Sequence, residues 1–290
     1  MVAETTRILS DLHYGHPSSR VQRLEALRPL FAGADRVVFN GDSLETRSGP
    51  ASERSAEYRE RFLEFVLREA PRCTLLTGNH DADLSDHHYL DLVGGLMLVT
   101  HGEVFFDDLV PWSPDQPQIR DLYRQELAAL PADVRDRPEE RLAAGKRACA
   151  RMKLGRDPHT RNLWQRGLRT AHFVGAPRRT WAMFRAWSEM PNRAAAFARR
   201  FRPHARFVVV GHTHRPGIWF PGNLIVINTG SFCPPFGGYL VDVSLTAVVA
   251  RRVARDRDVF RPGRVVAAFA LAPDEDNVEG AAMPSPVPAP

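Results

Sequence analysis

The strongest constraint on this chain is a repeated pairing of an apolar run with a polar motif at its carboxyl end. Five runs carry it: Arg7-Ile8-Leu9-Ser10, Arg36-Val37-Val38-Phe39, Cys73-Thr74-Leu75-Leu76, Leu96-Met97-Leu98-Val99 and Phe207-Val208-Val209-Val210. Each is dominated by β-branched or large apolar side chains, the composition of a strand. At or just past their ends stand Asp11-Leu12-His13, Gly41-Asp42, Gly78-Asn79-His80-Asp81, His101-Gly102 and Gly211-His212-Thr213-His214. Open α/β sheets gather polar side chains beyond the carboxyl edges of their strands. Five edges that each end in Asp, Asn or His therefore predict one site. Carboxylate, amide and imidazole donors together suit a pair of divalent transition metals.

Local spacing points the same way. Asp11 and His13 are two residues apart, which on an extended segment places both side chains on one side; His212 and His214 repeat this, with Thr213 turned away. Gly41 allows a tight turn that helps the Asp42 carboxylate reach two ions. Imidazole is the commonest metal donor among side chains. Taken singly, D-x-H, Gly-Asp and His-Gly are ordinary turns or termini. Gly-Asn-His-Asp and Gly-His-Thr-His are more specific, and the joint occurrence of all five behind strands carries the reading. Asp86, His87 and His88, in Ser85-Asp86-His87-His88-Tyr89-Leu90, read instead as the exposed start of a short helix behind an N-cap. His16, His159, His172 and His204 read as surface or lid histidines.

In this order the motifs resemble the signature of the calcineurin-like metallophosphoesterases over residues 6–104 and 205–243. The resemblance implies an α/β fold, a sandwich of two mixed β-sheets flanked by helices. It implies two divalent cations, manganese first among them, with iron, zinc or cobalt as alternatives. By position, Asp11, His13 and His214 hold one metal, Asn79, His101 and His212 the other, and Asp42 bridges both. His80 takes the leaving-group side, donating a proton or stabilising charge, with Glu45 a candidate hydrogen-bond partner.

Helical patterns at residues 20–31 and 52–70 alternate with the early strands, and residues 224–228, 238–243 and 247–253 read as three more strands. The expected organisation is a core of residues 1–104 and 205–271, a helical insertion or lid at 105–204, and a disordered Pro- and Ala-rich tail at 272–290. Three scattered cysteines without C-x-x-C spacing argue against a disulfide framework and for a reducing compartment. The first residues lack the apolar core of a signal peptide, and no stretch approaches the length of a membrane span. A cytoplasmic protein is expected, peripheral to the inner face of the membrane if it meets one.

The insertion carries an unusual charge. Between Ala144 and Arg206 stand sixteen Lys and Arg against Asp157 and Glu189, a net +14 in a chain whose total is +5. Among them lie Trp164, Phe173, Trp181, Phe184, Trp187, Phe197 and Phe201. Trp181, Phe184, Trp187 and Met190, with Arg178, Arg179, Arg185 and Arg193 around them, form an apolar stripe at helical spacing. Such a stripe packs on a core, rests on an anionic membrane, or stacks on nucleic acid. The insertion resembles that of the UDP-2,3-diacylglucosamine hydrolase branch, as do His101-Gly102-Glu103 and the following Asp107-Asp108. That branch implies a lipid-linked nucleotide substrate, with Arg120, Arg124, Arg147 and Arg151 as its binding residues. The chain departs from it at His80, where the branch usually has Arg; His80 favours a soluble phosphoester, whether phosphoprotein, cyclic nucleotide or nucleic acid. A scaffold without catalysis is the third reading, and the complete donor set argues against it.

Overall fold

The apolar runs form two mixed sheets packed face to face in the computed structural model, which describes residues 4–46, 52–152 and 177–271. The first sheet contains, in spatial order, β11 (Val259–Ala270), β10 (Ala247–Asp256), β9 (Tyr239–Val243), β1 (Thr6–Leu9), β2 (Arg36–Asn40) and β3 (Thr74–Leu76). The second runs β4 (Tyr89–Leu92), β5 (Met97–Thr100), β6 (Phe207–Val210), β8 (Ile225–Asn228) and β7 (Gly217–Trp219). Within these sheets β1, β2 and β3 are parallel, as are β5, β6 and β8.

Side-chain alternation explains why the central strands read as continuous apolar runs. Ile8, Val38, Phe207, Val209, Ile225 and Ile227 point between the sheets. Their neighbours Leu9, Val37 and Phe39 face the outer side of the first sheet, where Phe62, Phe65 and Val66 of α2 (Ser52–Glu69) cover them. Val208, Val210 and Val226 face the outer side of the second sheet, against Ala194, Ala195 and Ala198 of a long helix, Pro177–Phe201. A strand covered on both faces has no polar positions to offer.

The 105–204 region divides into two parts. Helices α3 (Gln116–Ala129) and α4 (Pro138–Arg151) pack on each other through Ile119, Tyr123, Ala144, Ala148 and Cys149, with Leu109 and Val110 closing the cluster. The long helix, α5, covers the second sheet, and its small buried residues let it approach closely. The tail from Ala272, together with Trp164, Phe173, His159 and His172, lies outside the described residues.

Local structure departs from or adds to the sequence reading at four points. Residues 20–31 do not form one helix: a 3-10 turn at Leu24–Leu27 precedes α1 (Arg28–Phe31), because Pro29 cannot donate the bond that would carry a helix through. Ser85 does not cap a helix; its hydroxyl binds the Leu75 carbonyl at 2.6 Å, and Tyr89–Leu92 pairs antiparallel with β5 as an edge strand. Strand β7, three residues long, and strand β11, which contains Pro262 and Gly263, carried no strand signal. The aromatic stripe does not face the core as a unit: Met190 is buried, whereas Trp181 is 70% and Phe184 52% exposed. Among the described residues no helix is long and apolar enough to cross a membrane.

The close fit of α5 is testable. Ala195 is wholly buried, so Ala195→Leu should overpack the helix–sheet seam and destabilise the fold by about 1–3 kcal/mol. Thermal unfolding would measure it; an unmoved melting temperature would mean that α5 is held loosely.

Candidate metal centre

Backbone geometry beyond the strands brings the motif residues together. Asp11 N–H donates to the Gly41 carbonyl (3.0 Å), His13 N–H to that of Asp42 (2.9 Å) and Tyr14 N–H to that of Ser43 (2.9 Å), so the β1 and β2 loops are zipped past the sheet edge. Gly211 N–H donates to the His101 carbonyl at 3.0 Å and ties the two loops of the second sheet. Asp81 lies beneath the first group, its carboxylate accepting the N–H groups of Asp42 (3.1 Å), Ser43 (2.7 Å), Leu44 (3.2 Å) and Gly78 (2.6 Å).

The segments carrying the donors are not extended. Asp11 (φ 54°), His13 (48°), Asp42 (51°), His212 (67°) and His214 (57°) all occupy the left-handed region. The two-residue repeats converge through alternating left-handed turns rather than through strand alternation. Non-glycine residues hold this conformation only where their surroundings over-determine it, and such strain concentrates at functional sites. Two glycines make the close approach feasible: a Cβ at Gly78 would collide with the Asp42 carboxylate, and one at Gly211 with that of Asp11.

Asp11, His13, Asp42 and His214 present donor atoms within 4.8 Å of one another. His13 Nε2 lies 3.0 Å from His214 Nε2 and 3.7 Å from Asp42 Oδ2, and His214 Nε2 lies 3.2 Å from Asp11 Oδ1. On the other side of Asp42, His101 Nε2 stands 3.2 Å from Oδ2. The His101 Nδ1 atom pairs with the Asn40 carbonyl at 3.0 Å, which leaves Nε2 fully buried without a hydrogen bond. His212 Nδ1 lies 2.9 Å from Asn79 Oδ1, and its Nε2 pairs with the Leu109 carbonyl at 2.9 Å. The His101 and His212 imidazoles thus each have one nitrogen held by a backbone carbonyl and the other turned inward, the arrangement that fixes tautomer and aim in metal-binding histidines.

The electrostatics demand added positive charge. Asp11 and Asp42 are buried to 0% and 1% exposure. Burial alone would raise their pKa values, but the nearby imidazoles, His101 foremost, outweigh it and hold both below the usual carboxylate range. Burial likewise pulls His101 down, yet Asp42 and Asp11 hold it up to about 10. His212 is pushed down to about 3 by burial and by the His101 charge. Two fully desolvated carboxylates flanked by inward-facing nitrogens fit divalent cations, which neutralise them without imidazolium. Asp11, His13, His214 and Asp42 can hold one ion, and Asp42, Asn79, His101 and His212 a second.

His80 borders this cluster. Its Nδ1 meets Glu45 Oε2 at 2.7 Å, its Nε2 lies 3.9 Å from Asp42 Oδ2, and its side chain is 19% exposed, against 1% for Asp42. The arginines expected to bind substrate do not join it. Arg147 and Arg151 both hold Glu126 at 2.7 Å across the α3–α4 pair, Arg124 is exposed, and Arg120 reaches toward Asp108 (4.0 Å). Arg215, passed over in the sequence, follows His214 directly and lies over the Trp187 ring, 5.7 Å from its centroid. Asn40 and Asn228 were passed over too, although each ends an apolar run as the donors do. Asn228 Nδ2 binds the Gly211 carbonyl (2.7 Å) and Thr213 Oγ1 (3.0 Å), bracing the histidine loop.

If Asp42 bridges two cations, Asp42→Asn should remove about one metal per chain and nearly all metal-dependent hydrolysis, because the shared carboxylate couples the pair. Elemental analysis alongside phosphodiester turnover would check this. Two retained metals with normal turnover would dismiss the assignment.

A search of curated protein sequences gave no match. Among solved structures, the chain is similar to a predicted phosphoesterase from Streptococcus pneumoniae (17% identity, TM-score 0.43, covering 93% of this chain and 99% of that one). It is also similar to vacuolar protein sorting 29 from Cryptosporidium parvum (13%, TM-score 0.45, 93% and 99%) and to a dimetal phosphatase from Danio rerio (13%, TM-score 0.40, 89% and 98%). The family model for calcineurin-like phosphoesterases matches residues 5–216, most of the chain and all five motifs in full. The chain therefore belongs to the calcineurin-like phosphoesterase family.

Proposed function

We propose that this calcineurin-like phosphoesterase hydrolyses a phosphoric anhydride in a lipid-linked nucleotide, of the UDP-2,3-diacylglucosamine kind, at an anionic membrane surface. Two bound cations would supply Lewis acidity toward the phosphoryl oxygens and a nucleophilic water at neutral pH. Manganese is the first candidate, and iron, zinc and cobalt accept the same donors. Water adds to phosphorus, the bond to the leaving oxygen breaks, and that oxygen needs a proton or a compensating charge. His80 suits this role: Glu45 fixes its Nδ1 side, which leaves Nε2 at a partly open edge of the donor cluster.

The observation that carries the lipid reading is the exposed aromatic and basic ledge beside His214. Trp187 is anchored to the histidine loop by its indole N–H, which donates to the Thr213 carbonyl at 2.8 Å. Around it stand Phe184 (ring centroids 5.3 Å apart), Phe236 (5.4 Å) and Arg215, with Trp181 further along the helix. Aromatic side chains flanked by guanidinium groups suit an interface that is apolar within and anionic at its rim. His80 favours a second reading, a soluble phosphoester, because a proton donor held by a carboxylate serves small leaving groups equally well.

Release of UMP from UDP-2,3-diacylglucosamine, compared with hydrolysis of a soluble aryl phosphodiester in manganese, separates these readings. His80→Ala should lower kcat on both substrates by roughly 10²- to 10⁴-fold while metal content is kept. Loss of metal instead would make His80 a ligand. Trp181→Ser with Phe184→Ser should weaken sedimentation with acidic vesicles and turnover of the lipid substrate, yet spare the soluble ester. Wild-type binding should fall as salt rises, since this attraction is screened over about a Debye length. Equal effects on both substrates would rule out a membrane role for the ledge.

A further inference from the structure

One cation of the basic insertion is not on its surface. Lys146, in the middle of α4, is 2% exposed, and its ammonium donates to the Thr77 carbonyl at 2.7 Å and pairs with the wholly buried Glu103. Its helix neighbours Ala144, Ala148 and Cys149 are buried against Leu109, Ile119 and Tyr123, so the charge sits in an apolar wall with few acceptors. Both contacts fall two residues from donors. Thr77 precedes Asn79, and Glu103 follows His101. The Leu109 carbonyl, from the segment leading into this helix pair, holds His212. Asn79, His101 and His212 are thus each tied, within two residues, to the α3–α4 subdomain. Asp11, His13 and His214 have no such tie among the described contacts.

We propose that Lys146, acting with Glu103, is a positioning pair for one of the two cations: it clamps the Asn79 and His101 loops at the spacing that this cation requires. This rests on the reading of Asn79, His101 and His212 as donors to a single ion. A buried ion pair is weak as a source of stability, because desolvation offsets its attraction. Its value here is geometric. The ammonium reaches two loops from different sheets at once, which no backbone hydrogen bond between them does at this level. The effect should therefore be selective, lowering the affinity for one ion and not the other.

Removing Lys146 alone would strand the Glu103 carboxylate and endanger folding, so the informative variant is Lys146→Met with Glu103→Gln in the full chain. Metal-free protein titrated with Mn2+ by calorimetry, and followed by electron paramagnetic resonance, reads each site. Wild type should bind two ions and give the spectrum of an exchange-coupled pair. The double variant should fold, keep one site at wild-type affinity, and bind the second ion about 10- to 100-fold more weakly, the usual consequence of losing an outer-shell partner. Its spectrum at two equivalents should be that of isolated Mn2+. Adding His214→Ala to the variant should then abolish the remaining site. Two wild-type affinities and a coupled spectrum in the double variant would overturn the proposal, and so would equal weakening of both sites. A wild type that binds no pair would overturn the dinuclear reading itself, before any variant is made.

Discussion

Two desolvated carboxylates, Asp11 and Asp42, set the terms for everything around them. Carboxylates taken from water into the junction of two sheets are tolerable only if positive charge or several donors meet them. The chain supplies both. Backbone N–H groups of His212 and His80 donate to Asp11 and Asp42, at 3.2 Å and 2.8 Å, and imidazoles from three loops crowd the remaining oxygens. The opposed shifts of His101, up to about 10, and His212, down to about 3, show the balance: one imidazole is recruited as a counter-charge and its neighbour is kept from following. Divalent cations relieve that conflict, because they bring the positive charge and need the imidazoles neutral.

Holding donors in this way requires backbone that ordinary strands cannot provide. Five donor residues sit in the left-handed region, and Asp81 accepts four N–H groups beneath them. The strain is distributed over the ends of parallel strands, where no ladder is disturbed. Asn40 and Asn228 are buried amides that finish their strands: Asn40 Nδ2 donates to the Thr100 carbonyl of the second sheet at 3.0 Å, and Asn228 Nδ2 to the Gly211 carbonyl of the histidine loop at 2.7 Å.

The donor set was legible because each member interrupts an apolar run at its carboxyl end, a signal independent of the rest of the fold. The same signal marked Asn40 and Asn228, which close Val37-Val38-Phe39 and Ile225-Val226-Ile227. Strands β4 and β7 were hidden because an edge strand packs one face only, and their residues are half-buried. In β11, Pro262 removes a donor, and the ladder with β10 survives there through irregular register between Arg251 and Val253. The aromatic stripe misled for a geometric reason. Each step of three residues falls about 60° short of a full helical turn. From Trp181 to Met190 the stripe therefore crosses to the opposite face, one end outside and the other in the core. Buried Lys146 was invisible for lack of any local pattern, since its partners lie far away in sequence at Thr77 and Glu103.

These contacts also decide from which side a substrate can approach. The insertion supplies a carbonyl to His212 through Leu109, an ammonium to Thr77 through Lys146, and an indole N–H to Thr213 through Trp187. Its described helices and the segment leading into them are thus bonded to two donor-bearing loops, and moving them would loosen both. The opening lies where the donors themselves meet solvent: the side chains of His214 and His80 are 36% and 19% exposed, against 0–3% for His101, His13 and Asp42. Arg215, Trp187 and Phe236 border that same side. A phosphoryl group entering there meets the histidine edge first. The lipid-linked substrate proposed above would then extend along the aromatic ledge.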